Sequence, residues 1–362
     1  MGVSTPALPS VEYDDINPGM GTLNKDPKSK GTSKRGIHFN PGDVLFGKLR
    51  PYLKNWLFAC FEGVAVGDFW VLTSSKIDHG FIYSLIQAPG FQYIANLSSG
   101  SKMPRSDWGL VSNARTFIPT NLSEQESISS VLFGLDTTIT LHEEKKRQLE
   151  RLKSALLQKM FADKSGYPAI RFEGFDKAWE ERKLKELGDI QTGNTPPTSD
   201  SDNYSLDGVL WVTPTDIKSL VISNTAKKLS QVGVTKARIA KAGSILVTSI
   251  ASIGKNTLLR MDAGFNQQIN SLTPTSENDS YFLLTQSEKW SEKMKQIAAS
   301  ATMQIVNKTE FSNISTYVPV HKEEQEKIGS FFKHLDDTIA LHQQKINNIN
   351  SVKKSLLQKM FI

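Results

Sequence analysis

A repeat at a fixed distance of 200 residues constrains this chain more than any other feature. The hexapeptide LLQKMF occurs at residues 156–161 and again at residues 356–361. Without a gap, residues 119–161 and 319–361 share 20 identities in 43 positions. The register continues upstream, where GDVLF faces GSILV, but there the pattern is kept and the residues differ. The chain is therefore two copies of one unit, each a variable domain followed by a similar tail.

The tail is predicted to be a long helix. Its seam positions are spaced alternately by four and three residues, a period of 3.5 that is typical of a coiled coil. About 33 residues at ~1.5 Å each give a rod of roughly 50 Å, and Ser123-x-x-Glu126 is interpreted as a capping box at its start. The predicted seam residues of the first copy are Ile128, Leu132, Leu135, Ile139, His142, Leu149 and Leu156. Those of the second copy are Ile328, Phe332, Leu335, Ile339, His342, Ile346, Ile349 and Leu356.

The two histidines interrupt an otherwise mostly apolar seam. Polar seam residues most often fix the register of a coiled coil, so His142 and His342 are interpreted in that way in preference to a metal or catalytic role. The second variable domain starts where the first helix ends and finishes where the second begins. Because a compact domain keeps its termini close, helices that pack together must then be antiparallel. We expect a pseudo-twofold arrangement with a variable domain at each end of a shared spacer.

The expected domain boundaries follow from the repeat. They are a first variable domain (1–118), a first spacer helix (119–162), a second variable domain (163–318) and a second spacer helix (319–362). Both variable domains are predicted to be mixed α/β (α+β), with strands in GDVLFGKLR, VAVGDFWVL, VLWVTPTDI and GSILVTSI and helices at residues 79–98 and 281–299. Roughly 35 residues that open the second domain have no counterpart in the first, so we expect the first domain to be N-terminally shortened.

Catalytic signatures are absent from the sequence. SIGKNT at residues 252–257 has only part of a phosphate loop, because Ser249 stands where the first glycine is needed and Asn256 where Ser or Thr is needed. The six histidines are not at metal-ligand spacing, and the single cysteine, Cys60, is expected to be a small buried hydrophobe in a reducing cytoplasm. No apolar run approaches a membrane span. We therefore expect no enzymatic activity, cofactor, metal or membrane contact in this chain.

Binding chemistry is present in several loops. The net charge of +6 permits a polyanionic partner but does not demand one. Lys and Arg can hold phosphates or read guanine, and Asn and Gln can read adenine, although such residues also occur in ordinary solvated loops. Candidate DNA-binding residues of the first domain are Lys25, Lys28, Lys30, Lys34, Arg35, Lys48, Arg50, Tyr52, Lys54, Lys102 and Arg105. Those of the second are Ser249, Ser252, Lys255, Asn256, Asn266, Gln267, Gln268, Gln304, Asn307 and Lys308.

Several motifs taken together resemble one family. EQExI, LDxTIxLH and LLQKMF in two copies, with PAIRFEGFDKAWEERKLKELG, GDVLFGKLRPYLKNW and KMPRSDW, are similar to the specificity subunits of type I restriction–modification enzymes. The resemblance covers essentially the whole chain. It implies two target-recognition domains, each reading one half of a bipartite site on double-stranded DNA, and spacer helices that dock two methyltransferase subunits. Restriction and translocation subunits would join that core.

The resemblance also implies which chemistry belongs elsewhere. The subunit of this family is not itself catalytic, and S-adenosylmethionine, ATP and Mg belong to its partners. Because the two variable domains differ in sequence, the target is expected to be asymmetric. Two alternatives stay open: a shortened or silent subunit that docks the methylase but reads DNA poorly, and a nucleotide-dependent enzyme based on SIGKNT.

Overall fold

The structure, a computed structural model, describes residues 1–29, 33–97, 102–300 and 304–361. It divides into two compact units. The first unit contains Met1–Lys146 with Leu341–Ile362, and the second contains Arg147–Ala340. Each unit thus combines one variable domain with part of both long helices. The four boundaries expected from the repeat stay a prediction.

Among its described residues, the variable part of the first unit has three small sheets, with strand orders β1-β5-β8-β2, β3-β4 and β7-β6-β9. Its core is built from aromatic and aliphatic side chains of these sheets, and short 3-10 turns lie at Tyr13–Asp15, Pro27–Ser29 and Pro51–Leu53. The strands are β1 (Gly2–Val3), β2 (Ser10–Val11), β3 (Ile16–Asn17), β4 (Thr22–Leu23), β5 (Arg35–Phe39), β6 (Val44–Gly47), β7 (Trp56–Phe58), β8 (Gly63–Ala65) and β9 (Phe69–Leu72). The short helices are α1 (His79–Leu85), α2 (Pro89–Ala95) and α3 (Trp108–Ser112).

The second unit has larger sheets, and its elements follow the first long helix, α4 (Leu122–Lys159). The strands are β10 (Glu180–Lys183), β11 (Gly188–Thr192), β12 (Tyr204–Ser205), β13 (Val209–Val212), β14 (Val221–Ile222), β15 (Lys227–Leu229), β16 (Ile239–Ala240), β17 (Ile245–Thr248), β18 (Asn256–Leu259), β19 (Ala263–Phe265), β20 (Ile269–Pro274) and β21 (Ser315–Val318). The helices are α5 (Leu184–Leu187), α6 (Gln231–Lys236), α7 (Ser280–Ser300), α8 (Lys308–Ser312) and α9 (Lys322–Met360), with a 3-10 turn at Ser201–Asn203. The sheet orders are β11-β20-β17-β18-β14, β12-β15-β13-β19-β16 and β10-β21.

The long helices α4 and α9 contribute opposite ends to each unit. In the first unit the start of α4 packs on the end of α9, where Leu132 and Leu357 share a core cluster. In the second unit the end of α4 packs on the start of α9, where Phe161 lies 5.7 Å from Phe332 between ring centroids. Within each unit the paired helix segments therefore run antiparallel.

Most seam residues predicted from the repeat are buried or half-buried in these units. In the first unit Ile128 and Leu135 join the cluster around Leu132, and Leu356 packs there as well. In the second unit Ile328, Phe332 and Leu335 are buried, and Leu149, Leu156 and Ile339 pack against them. Ile139 and Ile346 are also buried, and Ile349 is half-buried. The coiled-coil character of a spacer stays a prediction.

The two seam histidines contact each other. The Nδ1 atoms of His142 and His342 lie 3.0 Å apart, and both side chains are half-buried within the first unit. Since a hydrogen bond needs one donor and one acceptor, one of the two Nδ1 atoms must be unprotonated. This contact agrees with the register role that the sequence indicates.

Two local predictions were wrong. The first long helix begins at Leu122, and the Asn121 side chain accepts a 2.9 Å hydrogen bond from the Ser123 backbone, so Asn121 and not Ser123 caps it. Cys60 is exposed, because it lies in the bend after β7 ends at Phe58 and does not continue the buried strand. The predicted strands and the helices at residues 79–98 and 281–299 otherwise match β6, β8, β9, β13, β17, the pair α1–α2 and α7.

Candidate nucleic-acid interface

Two basic segments that lie far apart in the sequence of the first variable domain contact each other in the structure. The carbonyl of Lys48 accepts a 2.8 Å hydrogen bond from the Ser106 backbone, and the Arg50 backbone donates to the Pro104 carbonyl at 2.7 Å. Leu49 and Arg105 form the antiparallel bridge between these bonds. We call residues 48–50 and 104–106 the first loop frame. It places Lys48, Arg50 and Arg105 on one short pair of backbone segments.

Asp68 stabilises this frame through its backbone carbonyl and its carboxylate. Its backbone carbonyl accepts from the Lys48 backbone at 2.8 Å, and its carboxylate lies 3.0 Å from the Arg105 guanidinium and 3.8 Å from Lys48 Nζ. The Tyr13 hydroxyl donates to the same carbonyl and accepts from the Leu49 backbone. Burial raises the pKa of Tyr13 to about 12, so this phenol stays neutral at physiological pH. The frame is thus fixed by buried hydrogen bonds while the basic side chains stay accessible.

The segment that follows turns sharply because two of its residues adopt left-handed backbone conformations. Arg50 has φ 50° and Lys54 has φ 59°, on either side of the 3-10 turn. Such conformations are uncommon for residues other than glycine and often occur at functional sites. The Lys54 carbonyl accepts from Gly19, and the Tyr52 ring is exposed. Arg50, Tyr52 and Lys54 therefore stand on an ordered, solvent-facing turn.

The second unit repeats this frame with other residues. Ile250 and Ile305 form the equivalent antiparallel bridge, and the Val306 backbone donates to the Ser249 carbonyl at 3.0 Å. The Ser249 backbone in turn donates to the Gln268 carbonyl at 2.8 Å, as Lys48 does to Asp68. Residue Ala251 has φ 61°, the counterpart of Arg50. Residues 249–251 and 304–306 are called the second loop frame.

The two frames have the same backbone arrangement but carry different side chains. Lys48, Arg50, Asp68 and Arg105 of the first frame correspond to Ser249, Ala251, Gln268 and Ile305 of the second. The first frame therefore presents guanidinium and ammonium groups, whereas the second has the apolar side chains of Ala251 and Ile305 where the first has Arg50 and Arg105. The two frames therefore differ in the hydrogen-bonding groups that they could offer to a base edge.

Several residues predicted for binding in the second unit have structural hydrogen bonds. Ser249 is 3% exposed and its hydroxyl donates to the Gln268 carbonyl, so it is not available to a ligand in this structure. Asn307 caps α8 by accepting from the Glu310 backbone at 3.0 Å. Asn256 pairs within the sheet and donates to the Ser291 hydroxyl at 3.3 Å. Gln304 and Lys308 are exposed near the second frame.

A groove of about 320 Å³ lies beside strand β13 of the second unit. Asn266 lines it, and the adjacent Gln267 accepts a hydrogen bond from the Thr195 hydroxyl. Trp211 and Tyr204 form an aromatic wall, with Lys227 Nζ 5.9 Å from the Tyr204 ring centroid. The sequence did not indicate the remaining hydroxyl-bearing residues, because they come from separate loops: Thr195, Thr198, Thr213 and Thr215.

The basic run near the N-terminus is partly neutralised. Lys25 lies 3.0 Å from Asp15, and Lys34 lies 2.8 Å from Glu12. Lys28 and Arg35 are exposed, as is Lys102 near the first frame, whereas Lys30 lies outside the described residues. Lys25 and Lys34 would have to exchange a carboxylate partner for a phosphate before they could bind DNA.

The segment SIGKNT lies in the turn between β17 and β18. A phosphate loop connects a strand to a helix whose N-terminus faces the phosphates. Here a strand follows, and the Lys255 backbone donates to the Thr248 hydroxyl at 2.9 Å. Ser252 and exposed Lys255 thus belong to a β-hairpin turn, which gives no support to the nucleotide-site hypothesis.

Within the described ranges, no helix has the length and apolarity to cross a bilayer. Nor does any group of three or more His, Cys, Asp or Glu side chains in that part of the chain come together as metal ligands.

Comparison with known proteins identifies the class to which this fold belongs. Residues 176–351 match the family model of the type I restriction modification DNA specificity domain. The resemblance to the specificity subunits of type I restriction–modification enzymes, predicted from the repeated motifs, is confirmed over these residues.

Similar sequences carry the same description. The MjaIX specificity subunit of Methanocaldococcus jannaschii is 26% identical over 193 residues, which are 51% of this chain and 44% of that protein. The HindI specificity subunit of Haemophilus influenzae is 28% identical over 172 residues, 45% of this chain and 38% of that protein. The MjaVIII subunit of M. jannaschii is 20% identical over 337 residues, 88% and 75% of the two chains. The chain thus spans less than half of the first two relatives.

Solved structures support the fold at low sequence identity. The specificity subunit of a type I system from M. genitalium matches with a TM-score of 0.69 at 13% identity, over 99% of this chain and 90% of that one. A chain from a study of complex assembly and conformational transition of the type I system matches with a TM-score of 0.53 at 18% identity, over 97% and 90%. The mixed fold with two domains and long helices, predicted from the repeat, is confirmed.

Proposed function

We propose that this chain is the DNA sequence-specificity subunit of a type I restriction–modification complex. Each variable domain reads one half of an asymmetric bipartite site on double-stranded DNA, and the long helices dock methyltransferase subunits. The chain itself is non-catalytic. S-adenosylmethionine, ATP and Mg belong to the methyltransferase and restriction subunits.

One observation carries this proposal: two equivalent loop frames present different side chains. A protein that reads two different half-sites needs a repeated scaffold, so that both readers approach DNA alike, and non-repeated side chains on it. The bridges Leu49–Arg105 and Ile250–Ile305 supply the repeated scaffold. The exchange of Arg50 and Arg105 for Ala251 and Ile305 supplies the difference, and the similarity to known specificity subunits supports the same function.

The test is the methylated motif in cells that express this chain with its neighbouring methyltransferase. We expect a split, asymmetric motif in genome-wide methylation sequencing. The double variant Arg50→Ala, Arg105→Ala is expected to relax only one half of the motif, and Asn266→Ala with Gln267→Ala only the other half. Lys333→Ala, on an exposed face of α9, is the matched control and should leave both halves unchanged.

The same experiment separates the alternative function. A shortened or silent subunit would co-purify with the methyltransferase but produce no new methylation. If both double variants changed the same half of the motif, the assignment of one half-site to each variable domain would be wrong.

A further inference from the structure

The groove beside β13 lies where two parallel strands of the second unit end together. Because β13 pairs in parallel with β19, the segments that follow Val212 and Phe265 leave the sheet at the same edge. The Asn266 backbone donates to the Val212 carbonyl at 3.1 Å, which joins the two segments. The residues after β13 that line the groove are Thr213, Thr215 and Asp216, and Asn266 lines it after β19. The backbone of the sheet therefore fixes this part of the groove.

Two of the hydroxyl protons in this groove are used within the turn after β13. The Thr213 hydroxyl donates to the Asp216 carboxylate at 2.6 Å. The same hydroxyl lies 2.8 Å from the Thr215 hydroxyl. A hydroxyl has only one proton, and that of Thr213 already goes to Asp216, so Thr215 must be the donor of this second hydrogen bond.

Two further hydroxyl protons are used by hydrogen bonds to other loops. The Thr195 hydroxyl donates to the side-chain oxygen of Gln267, and the Tyr204 hydroxyl donates to the Pro196 carbonyl at 2.9 Å. Each of these hydroxyl oxygens keeps a lone pair after its proton is used. Towards a ligand, Thr195, Thr215 and Tyr204 can therefore only accept hydrogen bonds.

A ligand can reach these acceptors. Thr195 and Thr215 are exposed, and Tyr204 is half-buried. The exposed ammonium of Lys227 lies 5.9 Å from the centre of the Tyr204 ring and adds positive charge at the same wall of the groove. The groove thus combines hydroxyl acceptors with a cation beside them.

The first unit has other groups at the corresponding positions. The pairing of β2 with β8 and of β13 with β19 makes Ser10 the counterpart of Trp211. Two and four residues further along, where the second unit has threonines, the first unit has Glu12 and Asp14. The Glu12 carboxylate pairs with Lys34 at 2.8 Å. The arrangement of aromatic and hydroxyl groups is therefore not repeated at these positions, as residues that read only one half-site require.

The ligand of this groove must supply hydrogen-bond donors. In the major groove of DNA, adenine and cytosine present an exocyclic amino group, whereas thymine and guanine present a carbonyl oxygen at the same place. On the basis of the proposed function, we propose that Thr195, Thr215 and Tyr204 determine part of the second half-site by accepting hydrogen bonds from the amino group of an adenine or cytosine. Lys227 holds a phosphate of the same DNA backbone. A thymine or guanine would place its carbonyl oxygen against oxygen lone pairs, with no proton between them.

The test uses the assembled methyltransferase complex and duplexes that carry its methylated motif. In each duplex one adenine is replaced by purine, or one cytosine by pyrimidinone, which removes the amino group and keeps the ring. We expect one position in the half-site read by the second domain at which this replacement weakens binding roughly tenfold. The kind of base at the sensitive position decides between adenine and cytosine.

The double variant Thr195→Val, Thr215→Val removes two acceptors and keeps the shape of both side chains. It should bind the natural and the amino-free duplex at that position equally well. The double variant Thr195→Ser, Thr215→Ser keeps both hydroxyl groups and is the matched control, so it should retain the tenfold difference. Because each variant is compared on two duplexes, any loss of protein stability affects both measurements alike.

Two results would overturn the proposal. One is a valine variant that keeps the full tenfold difference at every position. The other is a valine variant that loses its preference for a purine N7 acceptor, measured with deazapurine duplexes, since the threonines would then act as donors. Either result leaves the proposed function intact. A native complex that prefers no DNA sequence would overturn the proposed function and this inference with it.

Discussion

The Nζ atom of Lys153 lies 2.7 Å from a carboxylate oxygen of Asp336, which joins the end of α4 to the start of α9 in the second unit. The first unit repeats the relationship, with Lys353 Nζ 2.5 Å from Asp136. Both pairs are largely buried, and in each case the aspartate belongs to the repeated motif LDxTIxLH. The motif therefore does more than form a helix, because it fixes the register of one helix against the other.

Asp336→Asn should destabilise the second unit. Removing one partner leaves the Lys153 ammonium nearly buried without a counter-charge, at a cost of about 2–4 kcal/mol in the free energy of unfolding. The neighbouring Asp337 pairs with Lys333 on the exposed surface, so Asp337→Asn should cost less than about 0.5 kcal/mol. Chemical denaturation of both variants measures the difference. Equal losses would mean that the Lys153–Asp336 pair has no special role.

Replacing either of two helical glycines, Gly134 or Gly329, with alanine should change the stability of the fold in opposite directions. A Cβ atom at Gly134 would meet nothing within 4 Å, so Gly134→Ala should stabilise α4 by about 0.5–1 kcal/mol through helix propensity. At Gly329 a Cβ atom would lie 2.2 Å from the Asp279 carboxylate and 2.9 Å from the Phe282 backbone nitrogen. Gly329→Ala should therefore destabilise the contact between α9 and α7 by about 1–3 kcal/mol. Melting temperatures that moved in the same direction for both variants would contradict this comparison.

The sequence predicted the long helices because an apolar period of 3.5 residues, kept over many turns, is typical of long paired helices. It did not predict the partner of Asp336, because an ion pair between helices depends on which helix faces which. For the first loop frame, the sequence predicted the residues but not their contact. Lys48 and Arg105 stand in basic, turn-rich segments that the sequence singles out, but their meeting depends on backbone hydrogen bonds between segments that are far apart in the chain. The sequence did not show that Ser249 is buried, because a serine in a polar stretch gives no sign of whether its hydroxyl is exposed.

The histidine contact predicts a dependence of stability on pH. Burial, the neighbouring His142, and Lys345 and Lys145 all lower the pKa of His342 below its usual value. A folded-state pKa below the unfolded value means that protonation favours unfolding. This stabilisation is therefore present above the unfolded-state pKa of about 6.5 and is lost as pH falls through the lower folded-state value.

The measurement is the melting temperature as the pH falls from above to below the usual histidine pKa of about 6.5. The native chain should lose more stability on acidification than the double variant His142→Gln, His342→Gln, which cannot place two imidazolium groups 3.0 Å apart. His334, which is exposed on α9 and bonds to the Ser330 carbonyl, provides the control His334→Gln. An identical pH profile for the native chain and the double variant would show that the histidine pair does not sense pH.

The first loop frame predicts how DNA binding depends on salt. If Arg50 contacts a base, Arg50→Ala should cost about 1–3 kcal/mol on the preferred site and much less on other sequences. If Lys54 contacts a phosphate, Lys54→Ala should weaken binding to all sequences alike and lower the slope of log K against log salt by about 0.9. Arg50 and Lys54 lie on the same ordered turn. The two variants therefore distinguish a residue that contacts a base from one that contacts a phosphate on the same element.

Asp68 sharpens this experiment, because it pairs with Arg105 in the free protein. Asp68→Asn removes that competing carboxylate and should strengthen binding, with a steeper salt dependence, provided that the Asp68 carbonyl still supports Lys48. Titrations of fluorescent duplexes by the assembled methyltransferase complex, at two or more salt concentrations, measure both quantities. Weaker binding by Asp68→Asn would instead mean that the Arg105–Asp68 pair holds the guanidinium in its binding position, and that the pair acts as one unit.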